Sequence, residues 1–123
     1  MNTYIYAADI FCEDCGEAIR KRITQEGNAP ANPDDEYSYD SDEFPKGPYP
    51  NGGGESDSPE HCGSLGYCIN AIELSDGTKV GAWLENDLTI EGAHYVEEAI
   101  EDDPDNEVCQ LWAEWYAEEI SYI

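Results

Sequence analysis

The chain has 123 residues, of which 29 are acidic and 5 basic, so its formal charge is −24; hydrophobic residues make up 40%. That length suits one domain, and the apolar content suits a modest core better than a disordered chain. The charge excludes ordinary nucleic-acid binding, where Lys and Arg hold the phosphates, and disfavours anionic membranes. No apolar run approaches a bilayer span, and no secretory leader pattern is visible.

Thr3 to Phe11 (TYIYAADIF) is rich in β-branched and aromatic residues and predicts a first strand. It runs into Cys12-Glu13-Asp14-Cys15-Gly16. Glu17 to Glu26 then predicts a short helix, with Ala18, Ile19 and Ile23 on one face and Gly27 as its stop. From about 28 to 60 the periodicity disappears, and six of the seven prolines fall there with Gly52-Gly53-Gly54. This irregular loop is either a mobile acidic excursion or a segment pinned to the body. Its interleaved Tyr37, Tyr39, Phe44 and Tyr49 favour partial ordering. Cys68 to Glu85 predicts a hairpin turning at Asp76-Gly77, with Ile72 and Leu74 matching Val80, Ala82 and Leu84.

Thr89 is placed to cap a helix running to about Asp102, with Ala93, Val96 and Ile100 inward. Pro104 suits the start of a second helix. There Val108, Leu111, Trp112, Trp115, Tyr116 and Ile120 recur at helical spacing, a stripe expected to pack on the sheet. Glu107, Glu114 and Glu118 fall on its outer side, the last two aligned one turn apart. The expected fold class is α+β: a small antiparallel sheet of about three strands, an N-terminal zinc knuckle and two C-terminal helices, all in a single domain spanning 1–123.

The cysteines carry the clearest chemistry. Cys12-x-x-Cys15-Gly16 has the spacing of a zinc knuckle, in which two thiolates grip one ion and Gly relaxes the backbone behind them. Cys62 and Cys68 supply a second pair, although their five-residue spacing is wider than usual. The expected ligand set is Cys12, Cys15, Cys62 and Cys68, with His61 as a substitute for either later cysteine. The rivals are a redox dithiol, which lacks its usual βαβ setting here, and inert buried thiols. Four thiolates around structural Zn²⁺ leave no open coordination position, which argues against catalytic zinc. Cys109 fits a small buried hydrophobe.

Other catalytic patterns fail. There are only two histidines; Asp40-x-Asp42 lacks the Gly and terminal Glu of a calcium loop; and Gly52-Gly53-Gly54 lacks the Lys-Ser/Thr of a phosphate cradle. No enzymatic activity is expected.

The charge is uneven. From Val80 to Ile123 there are 13 acids and no Lys or Arg. A globule of this length is roughly 35 Å across, and a duplex carries about 20 charges over that span. This parity suggests mimicry of nucleic acid, with Asp34, Asp35, Glu36, Glu107, Glu114 and Glu118 as candidate contacts to a basic nucleic-acid-binding protein. A solvated shell for solubility and adaptation to high salt are the plainer readings.

The segments CEDCGEAIRKRI, DSDEFPKGPYPNGGGESDSPEHC and GAWLENDLTIEG resemble a recurring set of small acidic bacteriophage and bacterial proteins. The resemblance covers about residues 1–100 and carries no catalytic residue. Some members of that set have a second CxxC after the His-Cys pair, where Ser64 and Leu65 stand here. The resemblance implies a phage-type accessory protein in the cytoplasm of the host cell. By analogy of charge and context, such a protein is an inhibitor of the anti-restriction or anti-CRISPR kind. The alternative is a zinc-stabilised adaptor that binds through its aromatic and Pro/Gly surface.

Overall fold

A computed structural model describes all 123 residues. The chain opens with β1 (Thr3–Tyr6) and β2 (Asp9–Cys12), an antiparallel hairpin. The stretch expected as one strand therefore folds back on itself. Ala7 and Ala8 turn it, both at positive φ (50° and 61°), the handedness that matches strand twist in a two-residue hairpin. Alanine carries no turn signal, so the sequence hides this reversal.

Helix α1 (Glu13–Gln25) follows without a loop. It begins four residues earlier than the sequence predicts, with Cys12 as its N-cap and Glu13 and Asp14 in the first turn, where acids favour the helix dipole. Gly16 is required within it: a Cβ there would sit 2.2 Å from the Tyr4 ring. The helix closes as expected at Gly27, with the Gly27 N–H bonded to Thr24 O and the Asn28 N–H to Ile23 O.

The middle segment is pinned. Tyr39 and Phe44 are buried with Ile23, their rings edge to face at 5.6 Å. Arg20 reaches over from α1 and donates from Nε to Pro45 O at 3.0 Å and from Nη2 to Tyr39 Oη at 3.3 Å. Its guanidinium also lies 4.9 Å from the Tyr4 ring and 5.0 Å from Phe44. The segment then supplies β3 (Lys46–Tyr49), which pairs antiparallel with β1, so the three-stranded sheet runs β2-β1-β3.

The expected hairpin contributes a separate, smaller ladder and not the third strand. Strand β4 (Glu55–Ser56) pairs in parallel with β7 (Asp87–Leu88), while β5 (Ile72–Glu73) pairs with β6 (Lys79–Val80) across the Asp76-Gly77 turn. The arms are short because their outer residues have other partners. Ala82 O accepts from Cys62 N at 2.8 Å and Glu60 O accepts from Leu84 N at 3.0 Å, tying 82–84 to 60–62.

Helix α2 (Ile90–Asp102) starts as predicted, with the Thr89 hydroxyl accepting from Gly92 N. Helix α3 (Glu107–Trp115) starts later than Pro104. Asn106 is the stronger cap, its Oδ1 accepting from Val108 N and Cys109 N. Tyr116 (φ −111°, ψ 24°) then breaks the expected second helix and separates α4 (Ala117–Ser121). Three helices, not two, end the chain, and Glu114 and Glu118 lie on different ones. The inner stripe of α2 to α4 buries Val96 and Tyr116 against Leu88, with Trp83, Trp112, Trp115 and Ile120 around them. No helix is long and apolar enough to cross a membrane.

Candidate metal centre

Four local events bring the cysteines together. Cys12 ends β2 and Cys15 lies in the first turn of α1, so one strand-to-helix junction presents both. Cys62 is fixed by its bond to Ala82, and Cys68 follows a 3₁₀ turn at Leu65–Tyr67. Close backbone approach is what allows this. A Cβ on Gly81 would lie 2.3 Å from Cys62 O, and Gly63 N donates to Ile10 O at 2.7 Å.

The four Sγ atoms all lie within 4.8 Å of one another, and all four residues are buried. Cys68 Sγ is 3.7 Å from both Cys12 Sγ and Cys15 Sγ. A tetrahedron with metal–sulfur bonds of ~2.3 Å has edges of about 3.8 Å, so these separations fit one ion among four sulfurs. No disulfide links any of the five cysteines. The donor set therefore passes the test of fit for a closed, tetrathiolate metal site.

Donors surround the sulfurs. Cys12 N points to Cys62 Sγ at 3.4 Å, Ile69 N to Cys15 Sγ at 3.4 Å, and Asn70 N to Cys68 Sγ at 3.3 Å. Asn70 Nδ2 approaches Cys12 Sγ at 3.7 Å and donates to Asp14 Oδ2 at 2.8 Å. Such contacts offset part of the negative charge that four thiolates place around a dication. Burial pushes the Cys12 and Cys62 thiols up. Burial acts the same way on Cys15, but the Ser64 hydroxyl, the Ile69 N–H and the neighbouring thiols outweigh it, and the Cys15 pKa is lowered. A bound dication favours the thiolates, so metal uptake releases protons.

His61 does not serve as a substitute ligand. Its Nδ1 lies 2.7 Å from Gly81 O and its Nε2 accepts from Trp112 Nε1 at 2.9 Å. Both nitrogens are engaged, which defines the neutral Nδ1–H tautomer and directs the ring toward α3, away from sulfur. Asn70 is the residue that sequence reasoning missed. Its only signal was a short amide side chain two positions after a ligand. Cys109 is buried beside the helical layer, apart from the cluster.

The candidate partner contacts fall in two places. Asp34 and Asp35 are exposed and Glu36 is half-buried around a 3₁₀ turn, where Asp35 Oδ1 accepts from Tyr37 N. Glu114 and Glu118 are exposed on α3 and α4. Glu107 is committed elsewhere: its carboxylate accepts from Ser75 N at 2.9 Å and Ser75 Oγ at 3.0 Å, tethering the hairpin turn to α3.

No protein-family model matches the chain, and no curated protein or solved structure is detectably similar to it.

Proposed function

We propose that this chain is a non-enzymatic, zinc-clasped acidic protein that occupies the basic nucleic-acid-binding groove of another protein, as a phage-type inhibitor of the anti-restriction or anti-CRISPR kind. Zinc suits the clasp because it favours four sulfur ligands in a tetrahedron and needs no open position in a structural role. The sulfurs lie too close together to enclose several irons with bridging sulfides.

One observation carries the partner reading: the disposition of counter-charge. Of the five cations, Arg20 is drawn over Tyr4 and Phe44, and Lys46 lies over the Tyr39 ring. Only two ion pairs form, the N-terminal amine with Glu85 and Arg22 with Glu26. Nearly all of the 29 acids therefore face water or backbone donors without a cation beside them. A surface of this kind attracts a basic groove at long range and is screened by salt. Asp34, Asp35, Glu114 and Glu118 are the exposed contacts of this reading, with half-buried Glu36 beside them and Glu107 held as a tether.

The test is capture from bacterial lysate on the immobilised, metal-loaded protein, with and without excess duplex DNA. The expected result is a nucleic-acid-handling protein that DNA displaces and whose affinity falls steeply between low and high salt. Capture indifferent to DNA, or affinity flat with salt, overturns the proposal.

The adaptor reading has an observation of its own. Leu65 and Tyr67, on the loop between Cys62 and Cys68, and Ile69 just after it are 67%, 96% and 62% exposed. If the Lys variants of the four acids bind a partner normally while Tyr67→Ala does not, this second reading replaces the first.

A further inference from the structure

Beside the cysteine cluster, between the Cys62–Cys68 loop and α3, lies a cavity of about 280 Å³. Its walls are Leu65, Val80, Val108 and the Trp112 ring, with His61 and Gly81 behind them. The polar atoms of that back wall are already paired. His61 Nδ1 is engaged by Gly81 O, and His61 Nε2 takes the Trp112 indole N–H. The cavity thus offers mainly hydrocarbon and aromatic surface, with both imidazole nitrogens and the indole N–H already committed.

Its one charged wall is Lys79, on β6. In a chain with 29 acids, no carboxylate lies within 4.0 Å of this ammonium. Glu73 stands opposite it in the ladder without forming a pair, and Glu107 on neighbouring α3 is engaged by Ser75. Leu65 adds a further sign of construction. It holds the rim at φ 53°, a left-handed conformation that costs an L-residue with a β-carbon, and keeps its side chain 67% exposed beside the opening.

We infer that this cavity binds a small anionic amphiphile, an aromatic or short alkyl carboxylate whose apolar body lies against Trp112, Val80 and Val108 while its carboxylate meets Lys79. The volume is slightly below the usual range for drug-sized ligands, so the body is one ring and a short chain. Nothing in this assignment depends on the basic-partner reading.

The probe is 3-phenylpropionate, titrated calorimetrically into the metal-loaded full chain alongside its neutral amide and the cationic 3-phenylpropylamine. The expected result is one saturable site for the carboxylate, with a dissociation constant on the order of 1 mM or lower. The amide and the amine should bind at least about tenfold more weakly. Lys79→Gln, at an exposed position, should abolish the preference for the carboxylate while leaving weak binding of all three. Val108→Trp should block all three, with metal content confirming that the variant is folded. The assignment is overturned if the carboxylate gives no saturable heat, if the amine binds best, or if Lys79→Gln leaves the preference unchanged.

Discussion

The cysteine cluster and the tryptophan layer are both buried, yet different forces hold them. Around the sulfurs, the buried residues are Cys12, Cys15, Cys62, Cys68, Ala82 and Leu84, so hydrocarbon is a minority. The backbone there is short strands and turns that gain little from regular pairing. The other region buries Leu88, Val96 and Tyr116 under three tryptophans, with Trp83 and Trp115 stacked at 4.6 Å and 4°. It is built on helices and held by area and by one polar relay. In that relay Trp83 Nε1 donates to Tyr116 Oη at 2.8 Å, and the Tyr116 hydroxyl donates to Asn86 O or Oδ1. The contrast shows what an ion at the sulfurs would add: one half has apolar surface to close on itself, and the other has mainly four thiols.

The comparison breaks most sharply if the metal is removed. Chelation, or Cys62→Ser, should cost on the order of 10 kcal/mol and abolish cooperative unfolding. The 82–84 segment ties the cluster to the tryptophan layer, so the loss should spread to both halves. Circular dichroism with and without chelator, alongside metal analysis, checks this; a cooperative melt at unchanged temperature in metal-free protein would contradict it.

The reverse perturbation should stay local. Trp115→Ala removes one member of the stack and should cost about 2–3 kcal/mol while leaving one metal per chain, as read by denaturant unfolding and metal analysis. Asn70→Ala sharpens the picture on the sulfur side. It deletes the amide that bridges Cys12 and Asp14, and should weaken metal affinity about 10–100-fold in competition with a chromophoric chelator, with the tryptophan layer unaffected.

The smallest effect concerns alkali. Burial pushes Tyr116 up to about 12 from an ordinary 10. The folded state therefore holds that proton more tightly than the unfolded state. This contribution is full below pH 10 and is lost as pH rises from 10 to about 12. Tyr116→Phe should cost about 1–2 kcal/mol at neutral pH by orphaning Trp83 Nε1 and removing the hydroxyl donor from Asn86, whose Oδ1 keeps only Glu60 N. It should also make the decline in stability across pH 10–12 shallower, as measured by urea unfolding at stepped pH.

The sequence made the fold class legible wherever a residue had one strong local preference. Thr89 marked α2 and Gly27 ended α1, while the Cys12/Cys15 and Cys62/Cys68 pairs named the four sulfurs that the structure gathers. It concealed features that depend on partners far along the chain. Ala7 and Ala8 turn a hairpin with no Gly or Asn between them, and Ala7 N bonds to Ser41 O at 3.0 Å. The second hairpin arm leaves its neighbour for 60–62 because Glu60 and Cys62 offer it backbone partners. His61 reads as a reserve ligand from its place beside Cys62, but Trp112, fifty-one residues away, occupies its Nε2. Asn106 outcompeted Pro104 as a helix start through a side-chain bond that spacing alone does not rank.

All three tryptophans stand in the helical half, two of them nearly parallel and the third hydrogen-bonded to an imidazole. Tryptophan emission therefore reports on that layer, and the stacked indoles add exciton coupling in the near ultraviolet. With zinc bound, the sulfur half would be silent in the visible, and Co²⁺ in its place would give it visible d–d and thiolate charge-transfer bands. One sample then carries two independent colours, so the order in which the halves come apart can be followed without a label.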